Sequence, residues 1–218
     1  MYAATANTYR TSLPDDQERT ILHHTVAFND LETAKYLLAC GADLDHVDYL
    51  ERTSLHMAVT NRNKTLVASF FDKSLLEKCK IDLPGEGGRT VLHIASEYEG
   101  QDIVKLLLQE GASVDSRDAK KRTALHLAAQ GGHVDVIQTL VVNGADVMAK
   151  DDYGSTAVQE ARRFSQAATC SFLQQYIKDV YGIRHAIICT FTWDITDLRF
   201  CRIVRSMRSS LRQVELVD

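Results

Sequence analysis

Eight histidines in 218 residues are the first candidates for chemistry, because imidazole near neutral pH serves both as a general base and as a metal ligand. Four of them close one recurring phrase, Thr-x-Leu-His. The copies are Thr20-Ile21-Leu22-His23, Thr53-Ser54-Leu55-His56, Thr90-Val91-Leu92-His93 and Thr123-Ala124-Leu125-His126. The threonines stand 33, 37 and 33 residues apart, and a further 33 on Thr156 keeps the frame without the His. Elements stacked at that period lie about 8–10 Å apart, whereas zinc needs each ligand atom within about 2.1 Å. The four rings therefore cannot share an ion. His23 and His24 are neighbours facing about 100° apart on a helix, which again argues against a common ligand.

Other chemical signatures are missing from the sequence. It holds no His-Glu-x-x-His, Gly-x-Ser-x-Gly or Walker A pattern, and the glycines of Gly85 to Gly88 are not followed by Lys-Ser or Lys-Thr. Cys40, Cys79, Cys170, Cys189 and Cys201 are odd in number and never form Cys-x-x-Cys, so neither a disulfide frame nor a zinc knuckle is written here. A second ladder accompanies the histidines: Arg19, Arg52, Arg89 and Arg122 each precede a motif Thr. Guanidiniums at one-unit spacing can read carboxylates or phosphates on a partner. They can equally form a solvated edge partly neutralised by Glu18, Glu51 and Glu86.

The elements that hold these residues follow from the period. Each Thr is placed to cap a short helix, its hydroxyl accepting an amide of the first turn. In the fourth unit the first helix takes in Leu125 to Ala129. Gly131-Gly132 allows a turn, and a second helix spans Val134 to Val142 with Val136, Ile137, Leu140 and Val141 at helical spacing. Gly144 then supplies a left-handed C-terminal residue, as Gly41 and Gly111 do elsewhere. The units run over 15–47, 48–84, 85–117 and 118–150, with a degenerate cap at 151–181. A segment 1–14 precedes them and a tail 182–218 follows. Ordering 33 residues costs about 50 kcal/mol, at about 1.5 kcal/mol each, and a handful of buried aliphatics returns only about 2 kcal/mol apiece. The units must fold as an array.

This pattern resembles the ankyrin repeat. Asp118, Thr123, Leu125, His126, Ala128, Ala129, Gly132, His133, Gly144, Ala145 and Asp146 fall in that family's positions, and Gly88, Thr90, Leu92, His93, Ala95, Gly111 and Ala112 repeat the match. The resemblance covers about residues 15–177. It implies an all-α solenoid of helix-turn-helix units joined by β-hairpin-like loops, stacked into a slightly curved slab. It also implies that each motif His bonds within its own turn and to the next loop. In such a family the concave face, lined by loop tips and first helices, binds other proteins. Carried over slot by slot, the candidate contacts are Arg19, Arg52, Arg89 and Arg122 with Asp16, Gln17, Phe28, Tyr49, Leu50, Thr60, Asn61, Glu97, Tyr98, Lys120 and Gln130. Phe28, Tyr49, Leu50 and Tyr98 are the sharpest, as apolar anchors on a presentation surface.

Two regions depart from the pattern. Unit two has Phe70-Phe71 where other units have Leu37-Leu38 or Leu107-Leu108, and its four extra residues fall in Asp72 to Lys80. About one extra helical turn fits that number, with Leu75 and Leu76 extending the apolar stripe and Cys79 or Lys80 at the helix end. A partner contact particular to this chain is the other reading. Pro84 to Gly88 is expected to be its most flexible loop. In the tail, Leu198, Cys201, Val204, Met207, Leu211 and Val214 form an apolar stripe beside Arg199, Arg202, Arg205, Arg208 and Arg212, a basic amphipathic helix. It can cap the stack, bind a partner, stay disordered or lie on a membrane. Leu198-Arg199-Phe200-Cys201-Arg202 also resembles the SOCS box of some ubiquitin-ligase substrate receptors. Here, however, Leu stands three rather than four residues before Cys, and no proline follows Pro84.

The functional expectation is a protein-binding module, an adaptor, scaffold or inhibitor, that is not an enzyme and uses no cofactor or metal. A substrate-receptor subunit of a ubiquitin ligase is the alternative. The net charge of −4 gives the body no field for nucleic acid or anionic lipid. Met1 to Arg10 lacks the apolar core of a signal peptide, and the apolar run Ala186 to Phe191 is far too short to span a bilayer. A monomer in the cytoplasm, with the nucleus also open to it, is expected.

Overall fold

The computed structural model describes residues 13–72, 79–98 and 100–181. Among them no β-strand forms, and a single antiparallel bridge pairs Val47 with Thr53 at a loop base. The helices come in pairs. They are α1 (Ile21–Ala27) and α2 (Leu31–Ala39), α3 (Ser54–Thr60) and α4 (Lys64–Ser69), and α5 (Val91–Glu97) and α6 (Gln101–Gln109). Then follow α7 (Ala124–Gly131) and α8 (Val134–Val142), and α9 (Ala157–Arg163) and α10 (Ala167–Tyr181). The expected second helix of unit four, Val134 to Val142, is α8. Each first helix packs on the first helix of the next unit, and α2, α4, α6 and α8 pack in the same order. The architecture is an all-α solenoid.

The motif leucine builds the seam. Leu22, Leu55, Leu92 and Leu125 are all fully buried, and each such side chain is worth about 2 kcal/mol. Ala58, Ala95 and Ala128, three residues after the last three of these, are buried too, as is Ala161 in the cap, and they let first helices approach closely. In the second helices Leu37, Phe70, Leu107, Leu140 and Leu173 fill one slot. Phe70 is thus core, where its bulk replaces a leucine. The second-helix turns end at Gly41, Gly111 and Gly144 with φ of 78°, 94° and 87°, the left-handed geometry expected of them.

Unit two corrects one expectation. Its second helix is not lengthened: α4 ends at Ser69 and Phe70 caps it. Residues 73–78, with Leu75 and Leu76, lie outside the described residues. A ladder of amides locates where the repeat frame resumes. Lys80 donates to Asp45 at 3.1 Å, Ser113 to Asp82 at 3.0 Å and Asp146 to Asp115 at 2.8 Å. Lys80 therefore occupies the slot of Ser113 and Asp146, two residues past the usual glycine. The four additional residues precede it. The tail 182–218, with its stripe and its box-like pentapeptide, lies outside the described residues.

Candidate functional site

The loop tips and the ends of the first helices form the candidate interface, and the repeated motif residues hold them in place. In each full unit the backbone N–H of the motif Thr donates to His Nδ1 at 3.2 Å. The Thr hydroxyl lies 2.8–3.0 Å from the same nitrogen. Histidine thus does what Glu or Gln does in a capping box. The expected hydroxyl-to-amide cap appears in unit two, where Thr53 Oγ1 accepts from the His56 amide at 3.3 Å.

The other ring nitrogen joins neighbouring units. Nε2 of His23, His56, His93 and His126 faces the carbonyl oxygens of Arg52, Arg89, Arg122 and Ser155 at 3.2, 3.2, 3.0 and 3.1 Å. A carbonyl only accepts, so Nε2 carries the hydrogen and Nδ1 keeps its lone pair. The rings are neutral by geometry. Burial also lowers their pKa values below that of free imidazole, against the smaller raising effect of those carbonyls. In the cap Gln159 takes over, its Oε1 accepting from the Thr156 amide at 2.8 Å. Among the described residues no cluster of three metal-ligating side chains forms.

The arginine ladder is bound into the scaffold. Asp48 Oδ1 accepts from the amides of Leu50 and Arg52 at 3.0 and 2.9 Å, and its Oδ2 takes Nε and Nη2 of Arg52 at 3.0 and 2.7 Å. Asp15 with Arg19 and Asp118 with Arg122 repeat this clamp. The neutralising acids are these aspartates rather than Glu18, Glu51 and Glu86. Burial pushes the Asp48 and Asp118 carboxyls up, but bonds from Arg52 and Arg122 outweigh it and leave both below the usual carboxylate value. Unit three differs because Gly85 stands in the Asp slot, where a Cβ would lie 3.0 Å from the His56 ring. Arg89 turns instead to Glu97, at 2.8 Å. The loop read as most flexible closes like the others, with the Gly85 amide on the Arg89 carbonyl at 2.8 Å.

The remaining candidates are surface groups. Phe28 is 82% exposed, Tyr49 59% and Tyr98 39%, while Leu50 is half-buried and Lys120 exposed. The Arg62 guanidinium lies 5.3 Å from the centre of the Tyr98 ring, a cation–π contact that orients the tyrosine. Backbone bonds tie tip to tip: Tyr49 N–H to the Gln17 carbonyl, Ala119 to Gly87 and Asp152 to Lys120, at 2.9–3.1 Å. Sequence reasoning missed Tyr153, Arg163 and Phe164. They line one shallow depression with Lys120, Arg122 and Gln130. Slot equivalence was the available signal, since Phe164 stands where Phe28 and Tyr98 stand in their units.

Fold and motif chemistry together define a repeat scaffold of stacked helix pairs. The family model "Ankyrin repeats (3 copies)" matches residues 1–74, 22–118, 71–151 and 113–182. The chain belongs to the ankyrin-repeat family and is a scaffold of the adaptor type. It is 35% identical over 100 residues to Transient receptor potential cation channel subfamily A member 1 of Homo sapiens, covering 45% of this chain and 8% of that one. It is 30% identical over 102 residues to B-cell lymphoma 3 protein of Homo sapiens, covering 47% and 22%. An L-asparaginase of Dirofilaria immitis is 38% identical over 78 residues, covering 36% and 12%. The chain thus spans less than a quarter of each of these relatives. Names this diverse share repeats and not an activity. Among the described residues no helix is long and apolar enough to cross a membrane.

Proposed function

We propose that this chain is a non-enzymatic interaction module, an adaptor, scaffold or inhibitor, which binds another protein through its loop tips and first-helix ends. One observation carries the reading. The repeated slots are consumed in bonds within the scaffold, whereas the variable slots present exposed aromatics at Phe28, Tyr49, Tyr98, Tyr153 and Phe164. Aromatic anchors on a rigid frame are the usual hot spots of protein interfaces. Arg19, Arg52 and Arg122, held by aspartates, serve this face mainly by fixing the tips that carry Tyr49, Leu50 and Lys120. The chain acts as a monomer in a reducing, cytoplasmic or nuclear setting, where its free Cys40, Cys79 and Cys170 stay reduced. The test is affinity capture from cell lysate with the native chain and with a Tyr49→Ala, Tyr98→Ala variant. A partner retained by the first and lost by the second, at equal melting temperature, is the expected result. A partner held equally by both overturns the reading.

A further inference from the structure

The exposed charge on the tip face is not uniform. Through the first three tips it is acidic, with Asp16, Glu18, Glu51 and Glu86 all exposed. At the fourth and fifth tips it reverses. The depression there is lined by Lys120, Arg122, Gln130, Tyr153, Arg163 and Phe164, together with the carboxylates Asp151 and Glu160.

Those two carboxylates are buried in its wall. Asp151 is 7% exposed, and its Oδ1 accepts from the amides of Tyr153 and Ser155 at 2.9 and 2.8 Å. Glu160 is 5% exposed and reaches Arg163 only at 3.8 Å, beyond hydrogen-bond distance. The nearby Asp152 is neutralised by Lys121 at 2.7 Å, and Arg122 by Asp118 at 2.7 Å. Two cations remain available to a partner, Lys120 without an ion pair among the described residues and Arg163 with only its long contact to Glu160. Lys120 is exposed, and the Arg163 side chain is 67% exposed. Beside them Tyr153 is 72% and Phe164 42% exposed, with the Arg163 guanidinium 5.8 Å from the Phe164 ring centre. The depression holds about 200 Å³, less than the roughly 300–1,000 Å³ of small-molecule sites. It suits one side chain.

We propose that this depression is a subsite for an acidic segment of a partner protein, seating one apolar side chain between Tyr153 and Phe164 and one or two carboxylates against Lys120 and Arg163. Charge complementarity selects this occupant. The stretch 199–212 of the chain's own tail, with five Arg and no Asp or Glu, carries the same sign as Lys120 and Arg163 and does not fit there. The acidic tips of units one to three repel the same carboxylates, so the charge gradient fixes the direction in which the segment lies.

The inference rests on the tip face being the binding face, and one experiment separates the two. A random peptide display library is panned against the full chain, a Lys120→Glu, Arg163→Glu variant and a Tyr49→Ala, Tyr98→Ala variant. Thermal melts confirm that each variant is folded, and a Lys120→Gln, Arg163→Gln variant stands in if the reversal unfolds the chain. The expected pool on the native chain is rich in Asp or Glu beside an aromatic or aliphatic residue. Its best member, labelled for fluorescence anisotropy, binds the charge-reversed variant about tenfold more weakly. It also weakens on the native chain as salt rises, because exposed charges are screened beyond about 8 Å in physiological salt. Peptides that depend on Tyr49 and Tyr98 but not on Lys120 and Arg163 overturn the subsite and leave the binding face standing. No enrichment, or binding indifferent to both pairs, overturns both.

Discussion

His56 Nε2 lies 3.2 Å from the carbonyl oxygen of Arg89, so a ring from one repeat donates into the loop of the next. Its Nδ1 accepts from Thr53 N–H at 3.2 Å, which requires the neutral ring, because a protonated Nδ1 has no lone pair to offer.

Stability should therefore respond to acid. Burial holds the four motif histidines below their unfolded value near 6.5. Below about pH 6.5 the unfolded chain takes up protons that the folded one refuses. Their contribution is full above that pH and declines as pH drops toward the lowered folded values, by up to about 1.4 kcal/mol per pH unit for each ring. Gln159 shows that an amide can fill the slot. His126→Gln should flatten the decline by one ring's share in urea unfolding at successive pH values. An unchanged slope would contradict the assignment.

The clamps should differ in strength. Arg122→Ala strands Asp118, whose side chain is 1% exposed, and should cost about 3 kcal/mol. Arg89→Ala removes a pair whose two side chains are each about one-third exposed, and should cost no more than about 1 kcal/mol. Denaturant titrations of the two variants measure the difference, and equal losses would refute it.

Tip backbone geometry makes a third prediction. Glu18, Glu51, Gly88, Lys121 and Gly154 share one slot and a left-handed φ of 55–74°. Gly154→Ala meets no neighbour, so its cost is conformational, about 1–2 kcal/mol. Gly88→Ala should cost more, because its Cβ would lie 2.9 Å from the Ala119 nitrogen. Glu51→Gly should stabilise by about 0.5–1 kcal/mol, relief of strain exceeding lost entropy. Melting curves decide each sign.

On the proposed binding face, Tyr98→Ala should weaken partner affinity about tenfold at unchanged stability. Arg62→Ala removes only the cation that orients the ring, at about 0.5–1 kcal/mol, and should weaken binding two- to fivefold. Calorimetric titration with the captured partner measures both.

Much of this scaffold was legible because the same residues recur in phase. Thr123, Leu125 and His126 announced a capped helix, and the glycine past α8 announced its end. The Asp–Arg clamp was legible too, in the four-residue step from Asp48 to Arg52 and from Asp118 to Arg122. It was passed over for the nearer glutamates. Charge proximity in sequence misled there, because Glu51 is an exposed left-handed residue while Asp48 takes the Arg52 guanidinium at 2.7 Å. The end of α4 was misplaced for another reason. A count of extra residues gives their number and not which side of a helix boundary they fall on. The depression at Tyr153 and Phe164 needed three dimensions, since its walls come from residues 120 to 164.

The His-to-carbonyl bond has a consequence for how such a chain can grow or shrink. Because each such bond uses a side chain on one side and only backbone on the other, it does not depend on which repeat supplies the acceptor. Excising residues 90–122 joins Arg89 directly to Thr123, leaves His56 facing the carbonyl it already faces, and leaves His126 with Ser155. As far as this bond is concerned, the cassette, rather than the residue, is the unit in which the chain can be edited.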